Sequence, residues 1–473
     1  MENMRQNKMA VKPISSLLIS MGIPMMISMA LQAVYNIVDS YFVSTMRDTD
    51  TIKGMGDYAV NALTLAFPVQ MLMVAVGVGT GVGINSLLSR SIGEGNREKA
   101  AKISGNAIFL GLCTFIVFFM FGLFASKAYV ATQTSDPVVS DMAVSYLRIC
   151  CVWSFGIIMY TIIEKLLQST GRTVQTTIAQ VAGALVNIIL DPILIFGYLG
   201  LPEMGIDGAA YATVIGQFVS FFLNLYFHLK YNNKEFDTSL RYMRPDKKVI
   251  ADIYRVGIPA IIMQALMSFM TYGVNVIFVK VSASAVTAYG VYYKIQQFVF
   301  FAALGMNNAM IPLIAFNYGM GDKKRVNKAI SLGLLYTVCI MGIGMLALEL
   351  LAEPVVGIFT LTDKTKTLCI TAVRVCALGY LFIGANVAYQ GIFQALGSGV
   401  RSLIVSLLRL IVIALPLAYL FAVAAPKLIW WAFPIAELGA LICAVIMMRR
   451  VRAALGLAKD ITEPALKTAK ANI

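Results

Sequence analysis

Only one histidine, His228, stands among the 473 residues, which leaves no material for a His-built metal site or a Ser-His-type catalytic set. Charge is equally scarce. Asp, Glu, Lys and Arg make up 13% of the chain, against roughly 25% in soluble domains. Hydrophobic residues reach 59%, so too few polar side chains exist to cover a soluble globule. Disorder, coiled coil and a disulfide scaffold fall with the same composition. Five of the seven cysteines (Cys113, Cys150, Cys151, Cys339 and Cys443) lie inside apolar runs, where they act as small hydrophobes. No phosphate loop is present. The run Gly77-Val-Gly79-Thr-Gly81-Val-Gly83 lacks a following Lys-Ser/Thr and sits inside an apolar span, so it reads as a close-packing stripe. ATP drive and nucleotide binding within this chain are not expected.

What the sequence has is long apolar runs. About 20 apolar residues cross a hydrocarbon core, and the polar breaks predict an all-α polytopic membrane protein with twelve spans. They lie near 14–45, 58–88, 103–126, 140–168, 174–200, 208–228, 250–279, 284–317, 329–352, 368–396, 402–424 and 428–448. The first follows Arg5, Lys8 and Lys12 and runs past thirty residues, so it reads as a membrane helix and not a cleaved signal. With the N-terminus placed inside, 27 of the 38 Lys and Arg fall on the inner segments and seven on the outer ones. That bias puts both termini in the cytoplasm and predicts the cytoplasmic membrane as location. The net charge of +14 therefore answers to anionic lipid, at the loop 229–249 and the tail 449–473, and not to nucleic acid.

The chain repeats itself. A shift of 226 residues superposes Gln70 on Gln296, Gly79 on Gly305, Gly93 on Gly319 and Gly95 on Gly321. The same shift aligns Arg148 with Arg374, Cys150 with Cys376, Gln168 with Gln394 and Gly171 with Gly397. Eight identities at one offset imply a duplicated six-helix unit. Residues 1–228 form an N-lobe, 229–249 a cytoplasmic connection, 250–448 a C-lobe and 449–473 a basic tail. Six is even, so both copies enter the membrane in one direction, related by an axis along its normal.

Departures from the repeat mark the site. Asp39 and Asp191 lie within spans, and their counterparts near Val274 and Leu417 are apolar. A mid-span carboxylate costs about 2.5–3.5 kcal/mol, so it needs a partner, a wet cavity or a function. Tyr35 precedes Asp39 by four residues and Asn187 precedes Asp191 by four, so each pair shares a helix face. Pro192 frees a carbonyl one turn earlier and makes the helix bendable beside the acid. Such a cluster can load and release a proton, or seat a sodium ion. Gln32 and Asn36, on the same helix, are candidate substrate contacts, and Lys294, near the centre of its span, is a candidate for gating or for pairing with an acid. Arg148, Arg374 and Arg409 read as snorkelling or structurally paired, Glu437 as a packing residue, and Glu164-Lys165 as an interfacial pair.

These features resemble the multidrug and toxic compound extrusion (MATE) transporters over nearly the whole chain. The resemblance rests on two six-span repeats, Gly22-Ile-Pro with Asp39, Asn187-(x)3-Asp191-Pro192 and the Gly93-x-Gly-Asn96 loop. It implies a V-shaped pair of lobes, no cofactor, a monomer, and efflux of cationic amphipathic drugs or toxins in exchange for protons or sodium ions. The implied N-lobe site comprises Asp39, Tyr35, Asn187, Asp191 and Thr213. Many relatives also carry acids on the seventh and tenth spans. Here the seventh span has none from Pro259 to Lys280 and the tenth none from Cys376 to Leu396, which places the chain nearer the DinF-like branch. A lipid-linked precursor flippase of the same superfamily is the alternative, and an enzyme is not expected.

Overall fold

The computed structural model describes residues 7–48, 53–359 and 361–457. Among them there is no strand; ten helices are long and apolar enough to cross a membrane, and two bent pairs bring the number to twelve when each pair is taken as one span. These are α1 (Ile14–Ser44), α2 (Met55–Gly93), α3 (Arg97–Ala131), α4 (Pro137–Val152 with Phe155–Gln168), α5 (Thr173–Phe196) and α6 (Gly205–Lys234). The second half follows with α7 (Lys247–Val279), α8 (Ala283–Gly319), α9 (Lys323–Gly357), α10 (Asp363–Ala377 with Tyr380–Ala395), α11 (Gly399–Ala424) and α12 (Pro426–Ala454). The two broken spans are repeat partners, bent by 44° in α4 and 53° in α10.

Local chemistry sets the helix ends. At the loops between α2 and α3 and between α8 and α9, Gly95 (φ 73°) and Gly321 (φ 74°) take left-handed turns. An Asx cap follows each: Asn96 accepts from the Lys99 N–H and Asp322 from the Arg325 N–H, both at 2.9 Å. These caps lengthen α3 and α9 at their starts by about two turns beyond the hydropathy runs, which end where polar residues begin and so miss helix that continues outside hydrocarbon. The fifth span is shorter than expected. It was predicted to reach 200, but Gly197 (φ 71°) closes α5 at Phe196.

The two halves meet as crossed pairs, α1 on α8 and α2 on α7. Glycine permits the approach. A Cβ on Gly79 would lie 2.6 Å from the Ile261 backbone nitrogen of α7, and one on its partner Gly305 would lie 2.6 Å from the Met26 backbone of α1. The expected packing stripe of α2 serves two neighbours, since Gly77 and Gly81 face Thr161 and Lys165 of α4 while Gly79 and Gly83 face α7. At the basic end, Gly93 and Gly319 press against the carbonyls of Phe316 and Arg90, so α2 and α8 cross backbone to backbone. Burial is dense there, over 79–93 of α2 and 303–317 of α8, and the opposite halves of these helices are far more open. The lobes therefore close on each other at the basic end and part toward the other.

A short helix, Lys8–Val11, lies under this closed end. Arg325 holds it by donating to the carbonyls of Met9 (2.7 Å) and Lys12 (2.9 Å) and to Asn317 Oδ1 (2.7 Å). Burial beside Gly171, together with the charges of Arg172 and Lys12, pushes the Lys8 ammonium down to about 8.

Candidate functional site

Close packing of α5 against α6 builds the N-lobe site. A Cβ on Gly183 would lie 2.0 Å from Ser220 Oγ, and one on Gly216 would lie 2.6 Å from the Gly183 carbonyl. Ser220 Oγ also donates to the Ala179 carbonyl at 3.1 Å. With two glycines at the crossing, the helices come near enough to bury Asn187 and Asp191 between them, Asp191 with no exposed surface at all. Asn187 Nδ2 donates to Asp191 Oδ1 at 3.2 Å and to Thr213 Oγ1 on α6 at 3.4 Å.

α1 closes the other side. Asp39 and Tyr35 are half-buried on it. Gln180 Nε2 of α5 donates to Gln32 Oε1 at 3.4 Å, and Ser28 Oγ donates to Thr177 Oγ1 at 3.0 Å, so polar contacts tie α1 to α5 below the acids. The side chain of Asn36 lies outside the described residues. Pro192 sits within α5 immediately after Asp191.

Three oxygens here are buried and accept from no donor among the described residues: Asp39 Oδ1, Asp191 Oδ2 and Asn187 Oδ1. An ionised carboxylate left this way in low dielectric is costly. A proton on an acid or a cation beside it removes the cost. All three atoms are hard oxygen ligands, suited to a proton or an alkali cation. No cluster of three or more His, Cys, Asp or Glu that could hold a metal ion occurs among the described residues.

The chain matches the family model described as MatE over residues 24–193 and 259–420, which takes in both halves and all of the acid cluster's helices except α6. It belongs to the MatE family. Membership carries with it a multi-pass membrane transporter, not an enzyme. Among curated relatives, the multidrug export protein MepA of Staphylococcus aureus is 25% identical over 93% of this chain and 94% of the relative. MepA of Staphylococcus saprophyticus is 26% identical over 90% and 91%. Of solved structures, a MATE transporter in complex with MaL6 superposes with a TM-score of 0.87 at 25% identity, covering 95% of this chain and 99% of that one. A MOP superfamily transporter from Pyrococcus furiosus gives 0.86 at 25%, over 95% and 98%. An outward-facing MATE transporter gives 0.88 at 24%, over 96% and 99%, and agrees in fold.

Some of the other intramembrane charges of this MatE protein fall differently from the sequence reading. Glu164 and Lys165 do not form an interfacial pair. Both are buried, linked through Gln168, which accepts from Lys165 Nζ (2.9 Å) and donates to Glu164 Oε1 (2.6 Å). Hydropathy places them near a span end, but α2 covers that end through Gly81. Arg148 is exposed and Arg374 meets Glu353 at 3.2 Å on the surface. Lys294 is exposed and meets no acid among the described residues.

Arg409 and Glu437 are the feature that sequence reasoning did not assemble. Both are buried, and Glu437 Oε1 accepts from Nε and Nη2 of Arg409, each at 2.8 Å. Asn386 Nδ2 donates to Glu437 Oε2 at 2.8 Å. The residues come from α11, α12 and α10, and no spacing rule connects them. The only signal was that both interrupt apolar spans.

Proposed function

We propose that this chain is a secondary active antiporter that expels cationic amphipathic compounds across the cytoplasmic membrane in exchange for protons, or for sodium ions at the same acids. The staphylococcal relatives are named multidrug export proteins, which supports the substrate class. The observation that carries the reading is the pair of donorless buried oxygens, Asp39 Oδ1 and Asp191 Oδ2.

Exchange follows from electrostatics. The pocket tolerates neutralised acids or acids beside a cation, and it penalises bare ionised ones. A proton and an organic cation thus compete for one charge vacancy. With the site facing the cytoplasm, the ionised acids take the cation. With the site facing outward, proton entry neutralises them and the cation loses its counter-charge. Each ligand shifts the lobes only through its different affinity for the two arrangements. Tyr35, Asn187 and Thr213 hold the acids in register, Gln32 contacts substrate at the mouth of the site, and Pro192 lets α5 bend as Asp191 changes charge. Asn36 is proposed as a further substrate contact and Lys294 as a gating residue.

The remaining assignments follow the sequence. Residues 1–228 and 250–448 are the lobes, the basic end faces the cytoplasm with both termini, the basic segments touch anionic lipid, and the protein works as a monomer without a cofactor. Coupling confined to the N-lobe matches the DinF-like branch. A flippase for a pyrophosphate-linked lipid would need unpaired arginines, whereas the buried Arg409 is already neutralised by Glu437.

Uptake of ethidium into proteoliposomes under an imposed proton or sodium gradient tests the proposal. Flux driven by one gradient and reduced at least a hundredfold in Asp39→Asn and Asp191→Asn is the expected result. Full gradient-driven flux in both variants would end it.

A further inference from the structure

Each lobe is entered through a short segment that docks on the opposite lobe. Residues 7–12 lead into α1 of the N-lobe, yet Arg325, at the start of α9 in the C-lobe, holds them by the carbonyls of Met9 and Lys12. Residues 240–246 lead into α7 of the C-lobe, yet they lie on α3 of the N-lobe. There the buried Asn106 donates to the Arg244 carbonyl at 3.3 Å and accepts from the Asp246 N–H at 2.8 Å. Gly105 beside it admits the contact, since a Cβ would run into the Tyr242 carbonyl.

The first segment is held by both lobes. Asn7 Nδ2 donates to Glu235 Oε1 at 3.2 Å, and a Cβ on Gly171, at the turn between α4 and α5, would lie 2.9 Å from Lys8 Cε. Met9 has no exposed surface and joins the hydrophobic core that takes in Phe316 and Val326 of the C-lobe. The repeat positions lack this arrangement. Gly397, the counterpart of Gly171, has nothing within 4 Å of an added carbon, and Lys99, the counterpart of Arg325, pairs with Glu94 at 3.2 Å instead. At the seam between the lobes, Ser86 Oγ of α2 donates to the Gln394 carbonyl of α10 at 2.7 Å.

We propose that residues 7–12 and 240–246 are two straps that keep the basic end closed and must undock from the opposite lobe before the lobes part there. α1 is tied to its own lobe by Ser28 with Thr177 and Gln32 with Gln180, and α7 to its own by Met263 with Ser402. Lobes that separate at this end therefore pull each strap off its partner. The broken bonds end at backbone carbonyls and amides near the helix starts, which water satisfies once a strap lifts, so release is reversible. Strap docking then sets the population of the open arrangement. The inference needs a two-lobed transporter and makes no use of the coupling ion or the substrate, so it stands or falls apart from the antiport proposal.

The test reads opening at the seam in the full-length protein in nanodiscs. Ser86→Cys places a thiol where the side chain is buried, and its rate of modification by N-ethylmaleimide is followed by peptide mass spectrometry. Native Cys376, buried in the C-lobe core, reports in the same digest whether the fold is intact. Added to Ser86→Cys, Arg325→Gln should raise the rate at position 86 about tenfold or more, and Asn7→Ala about fivefold, as expected for a charged and a neutral hydrogen bond. Asn106→Ala should act in the same direction through the second strap, and Lys99→Gln should change nothing. Wild-type rates in both Arg325→Gln and Asn7→Ala would overturn the proposal, as would an equal rise in Lys99→Gln. If Cys376 also reacts faster in Arg325→Gln, that variant has lost its fold, and Asn7→Ala, altered outside the spans, decides.

Discussion

Asp39 and Asp191 show how a carboxylate sits in an apolar span: one oxygen of Asp191 is held by Asn187, while Asp39 Oδ1 and Asp191 Oδ2 accept from no donor among the described residues, which in the proposed function leaves them to a proton or a cation. Removing the acidity of either residue should abolish exchange while leaving the fold intact, because Asn fills the same volume. Arg409 and Glu437 are the opposite case, a closed pair with little left to bind. Arg409→Met should cost about 3–5 kcal/mol by leaving Glu437 unpaired, and Arg409→Met with Glu437→Leu should recover most of it. Thermal unfolding in detergent reads both, and equal losses in the single and double variants would refute the pairing argument. At this scale the sequence was legible wherever chemistry ran along one helix: Tyr35 with Asp39 and Asn187 with Asp191 follow from the four-residue spacing. Pairs made across helices, such as Arg409 with Glu437, carry no periodic trace and were missed.

Helix contacts convert glycines into geometry. Gly183→Ala should force α5 from α6 against Ser220 Oγ, destabilise by about 1–3 kcal/mol and weaken transport, since Asn187 and Thr213 lose their register. Gly290→Ala, where no atom lies within 4 Å of the added carbon, should be silent in the same unfolding and uptake assays. The docked helix Lys8–Val11 supplies a pH test. Its lysine has a folded-state value of about 8, below the ordinary 10.5, so the undocked segment binds more protons. Docking should therefore be weakest below pH 8 and strengthen as pH rises from about 8 toward 10.5. Hydrogen exchange at residues 7–12, corrected for intrinsic rates, should slow relative to the rest of the chain over that window, and Lys8→Met should remove the dependence. Span number and order were readable from hydropathy, whereas span ends were not. Caps at Asn96 and Asp322 extend helices past the hydrocarbon, and Gly197 cuts one short.

The whole molecule is a duplication whose halves share packing and differ in charge. Its symmetry was visible in the sequence because glycines at left-handed turns and backbone contacts cannot be replaced cheaply: Gly95 with Gly321, Gly171 with Gly397 and Gly93 with Gly319 all recur in equivalent roles. The proposed function rests on the N-lobe acids holding either a proton or a cation. If binding and protonation compete there, linkage makes the competition reciprocal. The most direct test adds ethidium to purified protein in weakly buffered solution near neutral pH and records the proton released. Release of about one proton per cation bound, or an equal displacement of sodium, with loss of the response in Asp39→Asn and Asp191→Asn, is the predicted result. Tight ethidium binding with no proton or sodium released, and unchanged in both variants, would contradict the account.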